Sequence, residues 1–175
     1  MKGIINDIII RPERTEDFKQ IESLVENAFA LSDYSDGDEH LLVGRIRETA
    51  DYIPELSLVA VKGDAVMGFV MFSRILINEE IAVAPAPLAV KTEYQNLGIG
   101  KLLMSTGHKI AQTLGYSCSV VLGNPDYYTR FGYKRAVELG IYPPFDVNEK
   151  YYMACQLSNK RVPEGVVKYS RAFGL

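Results

Sequence analysis

Apolar positions along the chain change period from two to nearly four and back, and those changes mark out alternating strands and helices. A short apolar run, Ile8 to Ile10, reads as a strand, and Thr15 is placed to cap the helix after it. That helix carries Phe18, Ile21, Leu24, Val25, Ala28 and Phe29 on one stripe, the pattern of a core-facing helix. Residues 31–38 are polar and acidic and read as a loop. A second, shorter helix is expected from about Glu39 to Thr49, with Leu42, Arg45 and Ile46 on its inner edge. Leu56 to Ile77 then reads as a hairpin whose strands meet at Gly63-Asp64, a pair that tolerates the positive φ of tight turns.

After a turn at 78–80 comes an apolar run from Ile81 to Val90. Pro85 and Pro87 cannot donate ladder hydrogen bonds, so this strand is expected to bulge or splay near its centre, or to lie at an edge. A long helix follows, with Ile99, Leu102, Leu103, Thr106, Ile110 and Leu114 at helical spacing and Gly115 as its C-terminal stop. His108 falls off that stripe and is expected to be exposed. Ser119 to Leu122 reads as a compact strand, with Cys118 in the core. Asn124-Pro125 opens a short helix, because proline suits a first helical position. Tyr151 to Leu157 closes the β structure, with Tyr152, Ala154 and Gln156 on one face. The alternation makes this an α/β chain.

The junction between the Ile81–Val90 strand and the long helix is where chemistry enters. Gln95-Asn96-Leu97-Gly98-Ile99-Gly100-Lys101 places two glycines at a strand-to-helix turn. Such a turn leaves amide N–H groups free at the positive end of a helix dipole, a site suited above all to phosphate. Two nucleotide readings fail on particular residues. The dinucleotide fingerprint needs a third glycine where Leu103 stands. The triphosphate loop needs glycine at Gln95 and a hydroxyl at Leu102.

Gln95-x-x-Gly98-x-Gly100, preceded by Pro87-Leu88-Ala89-Val90, resembles the acyl-CoA pyrophosphate loop of the GNAT N-acetyltransferase superfamily. Tyr127-Tyr128-Thr129-Arg130-Phe131-Gly132-Tyr133 is similar to that family's other signature, a tyrosine four residues ahead of a Gly-aromatic pair. The resemblance runs from about residue 8 to 157, is greatest to the YhbS-type branch of small bacterial acetyltransferases, and leaves 158–175 as a C-terminal extension. It implies a single 175-residue domain with a mixed, largely antiparallel sheet of six or seven strands, splayed near its middle, and helices on both faces. It implies acetyl-CoA as acyl donor, with the pantetheine arm entering the splay.

The same resemblance assigns candidate roles. The amides of Leu97, Gly98, Ile99, Gly100 and Lys101, with Asn96 beside them, would hold the pyrophosphate; Gln95 would touch the cofactor or cap the turn. Leu88, Ala89 and Val90 would pair through backbone atoms with the pantetheine amides, as an added strand does. An amide there would also polarise the thioester carbonyl and stabilise its oxyanion. Tyr128 is the candidate catalytic acid, with Tyr127 the other choice. Tyrosine titrates near 10 and a thiol near 8.5, so full proton transfer is uphill by roughly 2 kcal/mol; hydrogen-bond support of the departing thiolate is the role expected. Many family members carry an asparagine seven residues before this tyrosine, where this chain has Val121; Asn124 is the nearest substitute as a cofactor contact.

On the acceptor side, a primary amine such as lysine costs on the order of 4–5 kcal/mol to neutralise at pH 7. Glu79, Glu80, Asp33 and Asp36 are candidate bases, but all fall in expected turns or loops where a solvated surface charge is the better reading, and none is selected. Asp36 or Asp38 could cap the second helix, and His40 is equally ambiguous. Cys118 and Cys155 have neither metal-ligand spacing nor placement for an acyl-enzyme, so no metal is implied and direct attack in a ternary complex is expected.

Composition narrows partners rather than chemistry. A net charge of −3 gives no case for nucleic acid. No stretch approaches the ~20 apolar residues of a membrane span, and Asn6 and Asp7 interrupt the N-terminal isoleucines, so no signal-peptide core is expected. A reduced, cytoplasmic setting follows. The expected partner is a small-molecule or peptide amine, with homodimerisation left open. Rival readings are transfer to an alcohol, transfer of a longer acyl group, and a non-catalytic acyl-CoA-binding sensor or pseudoenzyme.

Overall fold

The computed structural model describes residues 7–30 and 37–175. The chain opens with strand β1 (Ile9–Pro12), a 3-10 turn at Thr15–Asp17 and helix α1 (Phe18–Phe29). Thr15 does not cap that helix. Asp17 organises the entry instead: its carboxylate accepts the Arg14 N–H at 2.7 Å and a two-pronged bond from Arg11 at 2.7 and 3.0 Å. The charge therefore lies buried but paired, and the Arg11 hydrogen bond holds its carboxyl below the usual range. The α1 stripe faces the core as the pattern predicts, with Ile21, Leu24 and Val25 buried.

Helix α2 (Glu39–Arg47) buries Val43 and Ile46, whereas Arg45 turns outward. Strands β2 (Ser57–Lys62) and β3 (Ala65–Ile77) form the hairpin about Gly63-Asp64. Asn78 and Glu79, both at positive φ, turn the chain into β4 (Glu80–Val90). Helix α3 (Ile99–Thr113) follows, then β5 (Cys118–Leu122), the single-turn helix α4 (Pro125–Tyr128), β6 (Lys134–Arg135), β7 (Ile141–Tyr142), β8 (Tyr152–Gln156) and β9 (Gly165–Lys168).

The main sheet runs β1-β2-β3-β4-β5-β8-β6, seven strands, and only the β4–β5 pair within it is parallel. Two short strands add to it: β9 pairs with the end of β3, and β7 lies parallel to β9. These strands hold two to four residues, too few for a period to show in the sequence. Helices cover both faces. α3 packs on Leu58, Ala60, Met67 and Phe72; α1 and α2 pack on Val59, Val61, Phe69 and Met71. Alternate residues of β2 and β3 thus serve opposite cores, as the two-residue strand period requires.

Helix α3 departs from its expected stripe. Its buried face is Ile99, Leu103, Met104, Gly107 and Ala111, while Leu102 is 36% and Leu114 46% exposed. The physical reason is the ring of Phe72, which lies against the Gly107 backbone and excludes any side chain there. Small residues thus mark the inner face where apolar bulk suggested another. Gly115 ends the helix at φ +93°, with Gly115 N–H donating to Gln112 O and Tyr116 N–H to Ala111 O, a Schellman turn.

Candidate active site

The site forms where β4 and β5 part company. Only Val83 and Ser119 stand in register between them, although both strands continue. Register between β3 and β4 slips between Val70 and Phe72, opposite the segment that contains Pro85 and Pro87. Past the slip, Leu88, Ala89 and Val90 pair with Val70, Phe69 and Gly68 on one edge. Among the described residues no strand covers their other edge. Their side chains pack into the two cores, so the backbone alone is available there.

The chain then turns through Thr92–Tyr94 to α3. The Gln95 amide donates to Val90 O at 3.3 Å, a contact that braces the turn. Asn96 (φ +61°) and Gly98 (φ +89°) are left-handed, a backbone of the kind that forms anion-binding nests. The first helical bond runs from Leu102 N–H to Gly98 O, and no side chain caps the helix. The N–H groups of Ile99, Gly100 and Lys101 consequently lack a helical partner. The Ile99 side chain is buried and that of Lys101 exposed, so it is the amides, not the side chains, that line the turn.

Two tyrosines of α4 close the arrangement. Asn124 caps this helix by accepting Asp126 N–H at 2.9 Å, which commits its carbonyl oxygen to the cap. The Tyr127 hydroxyl stands over Gly100 of α3, and the Tyr128 ring lies against Gly123 at the end of β5. Tyr128 is held edge-on by Tyr127 and Tyr133, with ring centroids 5.1 and 5.6 Å away. Burial, with a smaller push from Tyr127, raises its hydroxyl above the ordinary tyrosine value. The phenol is thus a hydrogen-bond donor that stays protonated at neutral pH.

Beneath the vertex of the splay lies a buried polar chain. The Tyr133 hydroxyl contacts Ser119 Oγ at 2.7 Å and His108 Nε2 at 2.9 Å. His108 is therefore not the exposed residue the sequence suggests; it packs among Phe72, Phe131 and Tyr133. Burial pushes its imidazole down to about 4. Two cavities flank the end of β5, sharing Leu122: one of about 1110 Å³ beside Asn124, Thr129 and Met153, the other of about 730 Å³ between α2, β4 and the C-terminal segment. Neither is lined by the 95–101 turn.

Of the sequence-derived candidates, Leu88, Ala89 and Val90 lead into the turn that carries Gln95 to Lys101, and the Tyr127 contact on Gly100 joins that turn to the helix that Asn124 caps and that carries Tyr128. Glu79 and Glu80 lie apart, exposed in the β3–β4 turn at the opposite end of β4. Asp33 and Asp36 lie outside the described residues. Asp38 pairs with Arg45 at 3.1 Å rather than capping α2, and His40 Nδ1 is buried without a hydrogen-bond partner. Sequence reasoning missed Gly123 as the seat of Tyr128. A glycine directly ahead of the Asn-Pro helix start was the available signal.

An extended opening that ends in a row of unpaired amides suits a strand-like thioester with a phosphate group behind it, the demand placed on an acyl-CoA transferase. Known proteins resemble this chain in sequence and fold. Residues 54–135 match the acetyltransferase (GNAT) domain family. The chain is 30% identical over 171 residues to YhbS, an uncharacterized N-acetyltransferase of Escherichia coli K12, covering 95% of this chain and 98% of that one. It is 31% identical over 141 residues to YjhQ, another uncharacterized N-acetyltransferase of that strain, covering 77% and 75%. The crystal structure of E. coli YhbS in complex with CoA superposes with TM-score 0.87 at 28% identity, covering 97% and 93%. A GNAT acetyltransferase from Brucella melitensis in complex with acetyl-CoA gives 0.80 at 30% identity, covering 95% and 97%. The chain belongs to the GNAT N-acetyltransferase family, and its fold is the mixed, splayed sheet of that family. Among the described residues no helix is long and apolar enough to cross a membrane, and no three His, Cys, Asp or Glu side chains gather as a metal site.

Proposed function

We propose that this N-acetyltransferase takes acetyl-CoA as its donor and passes the acetyl group to a primary amine by direct attack in a ternary complex. The observation that carries the reading is the uncovered edge of Leu88 to Val90, continuous with the unpaired amides of residues 99–101. Its donor assignment is supported by two similar structures that hold CoA and acetyl-CoA. The chain's own residues fit that donor. The uncovered edge offers the alternating donors and acceptors that an extended diamide pairs with. The left-handed turn and helix start supply N–H groups and a positive dipole for a diphosphate.

Acetyl-CoA supplies an acyl group on a good thiolate leaving group. Tyr128, partly buried and protonated, donates a hydrogen bond to the sulfur as the C–S bond breaks; its raised pKa makes full proton transfer less favourable still. A covalent enzyme intermediate is disfavoured, because burial pushes Cys118 up to about 12 and Cys155 up to about 11, leaving little thiolate at neutral pH.

Calorimetric titration with acetyl-CoA, with ATP and NADH as controls, tests the donor assignment. Saturable heat with acetyl-CoA alone, followed by amine-dependent release of CoA thiol, is expected. Tyr128→Phe should keep the affinity and lower kcat by about 10- to 100-fold. Binding without turnover of any amine would make the protein an acyl-CoA sensor, and no binding would remove the proposal.

A further inference from the structure

The 730 Å³ cavity lies where an acceptor would meet the splay. Its floor is Ala84, Pro85 and Ala86 of β4 and the end of β5, the two segments that diverge beyond Val83 and Ser119. That volume is the size of a small-molecule site, not of a protein-docking groove. Resting on the proposed donor site, the cavity supplies the complementary pocket from which an amine would reach the thioester.

The far wall comes from the C-terminal segment. Phe145, Tyr169 and Phe173 line it. Phe145 stacks on Tyr169 at 6.1 Å with the rings 27° apart, and Tyr169 meets Phe173 at 5.3 Å. The segment is tied to the rest of the fold by two hydrogen bonds and braced by a third within it. The Tyr169 and Tyr152 hydroxyls are 2.9 Å apart; Arg45 Nε donates to Ala172 O at 3.1 Å; and Ser170 Oγ accepts Ala172 N–H at 3.3 Å. Phe173 also packs against the α1–α2 core. A wall fixed in this way selects by shape.

The lining adds a preference. Of its charged side chains, Asp38 and Arg45 pair with each other at 3.1 Å. Three aromatic rings favour an apolar body and can accept a cationic group on their faces. We infer that the acceptor is a compact amine carrying an aromatic body, and that Phe145, Tyr169 and Phe173 are its specificity-determining residues. In the transfer, the amine nitrogen forms a bond to the acetyl carbon, the C–S bond breaks, and CoA leaves as the thiol. From an ammonium substrate one further proton goes to solvent.

The test uses the full chain with phenethylamine, spermidine and a lysine-containing peptide, following release of CoA thiol. Phenethylamine should exceed both others in kcat/KM by about tenfold or more, the range that apolar pockets reach. Phe173→Ala should raise the phenethylamine KM about tenfold while the acetyl-CoA Kd stays within about twofold. If Phe173→Ala fails to fold, Phe145→Leu carries the same expectation. Equal or better use of spermidine or the peptide, no turnover of phenethylamine, or an unchanged KM in the variant overturns the inference while leaving the donor site standing. Loss of acetyl-CoA binding by the unmodified protein instead overturns the donor site, and this inference with it.

Discussion

The Tyr127 hydroxyl stands directly over the backbone of Gly100: a Cβ built on that glycine lies 2.5 Å from the oxygen and 3.7 Å from ring carbon Cζ. The contact joins α4 to the first turn of α3 and so places the two tyrosines beside the amide-lined turn. Gly100→Ala gains up to ~1 kcal/mol of helix propensity yet must displace Tyr127. We expect acetyl-CoA affinity to fall about tenfold, a coupling of ordinary size for contacting residues. Tyr127→Phe in the same chain removes the oxygen and leaves the ring at normal van der Waals distance. The double variant should therefore bind more tightly than Gly100→Ala alone in calorimetry, and a double variant no tighter would show that the clash is not with Tyr127.

Gly123 plays the same part for Tyr128, whose ring rests on its backbone. A methyl group there must move the ring, and with it the hydroxyl proposed to face the thiolate. Gly123→Ala should lower kcat by about 10- to 100-fold with little change in acetyl-CoA Kd. Because the two changes act on one hydroxyl, Gly123→Ala combined with Tyr128→Phe should be no slower than the slower single variant. Additive losses in steady-state kinetics would place the effect of Gly123 elsewhere.

A third relationship concerns stability alone. Glu13, its side chain 1% exposed, accepts two bonds from Arg47 at 2.6 and 3.0 Å and one from the Tyr52 hydroxyl at 2.9 Å. Arg47 also lies over the Phe18 ring at 3.8 Å. Glu13→Gln keeps the shape and leaves the guanidinium without its countercharge. A loss of about 3 kcal/mol is expected in urea unfolding, since breaking a buried pair strands the partner. The site is remote in the sheet, so acetyl-CoA affinity should be unchanged; a parallel loss of affinity would refute that separation.

Much of this was legible because local chemistry decided it. Gly63-Asp64 announces a hairpin, Asn124-Pro125 a helix start, and Pro85 and Pro87 the splay, each through backbone constraints that need no tertiary context. The turn at residues 95–101 was legible for the same reason. What stayed hidden depends on what packs against what. Leu102 and Leu114 share a helical stripe but face outward, because Phe72 needs the space over Gly107. Thr15 has a capping residue's chemistry, yet Asp17 takes the role through a partner on β1. The aromatic wall brings Phe145 to Tyr169 and Phe173 from a distant part of the chain, and no periodicity links it to them. His108 misled most, since lying off the apolar stripe hid its bond to Tyr133.

That histidine gives a pH dependence with a definite sign. Its folded value of about 4 lies below the ordinary 6.5, with burial as the cause. Between those values the unfolded chain binds more protons than the folded one, so the contribution is complete above pH ~6.5 and is lost as pH falls toward about 4. The shift corresponds to a loss on the order of 3 kcal/mol. His108→Gln should flatten that part of the stability profile relative to the unmodified chain, whatever the carboxylates contribute in both. Tyr133→Phe should not, because burial rather than the Tyr133 bond depresses the value. Urea unfolding at pH 7, 5.5 and 4.5 separates the cases: matching slopes for His108→Gln and the unmodified chain would mean that the imidazole is hydrated, and flattening by Tyr133→Phe would mean that the hydrogen bond, not burial, sets its protonation.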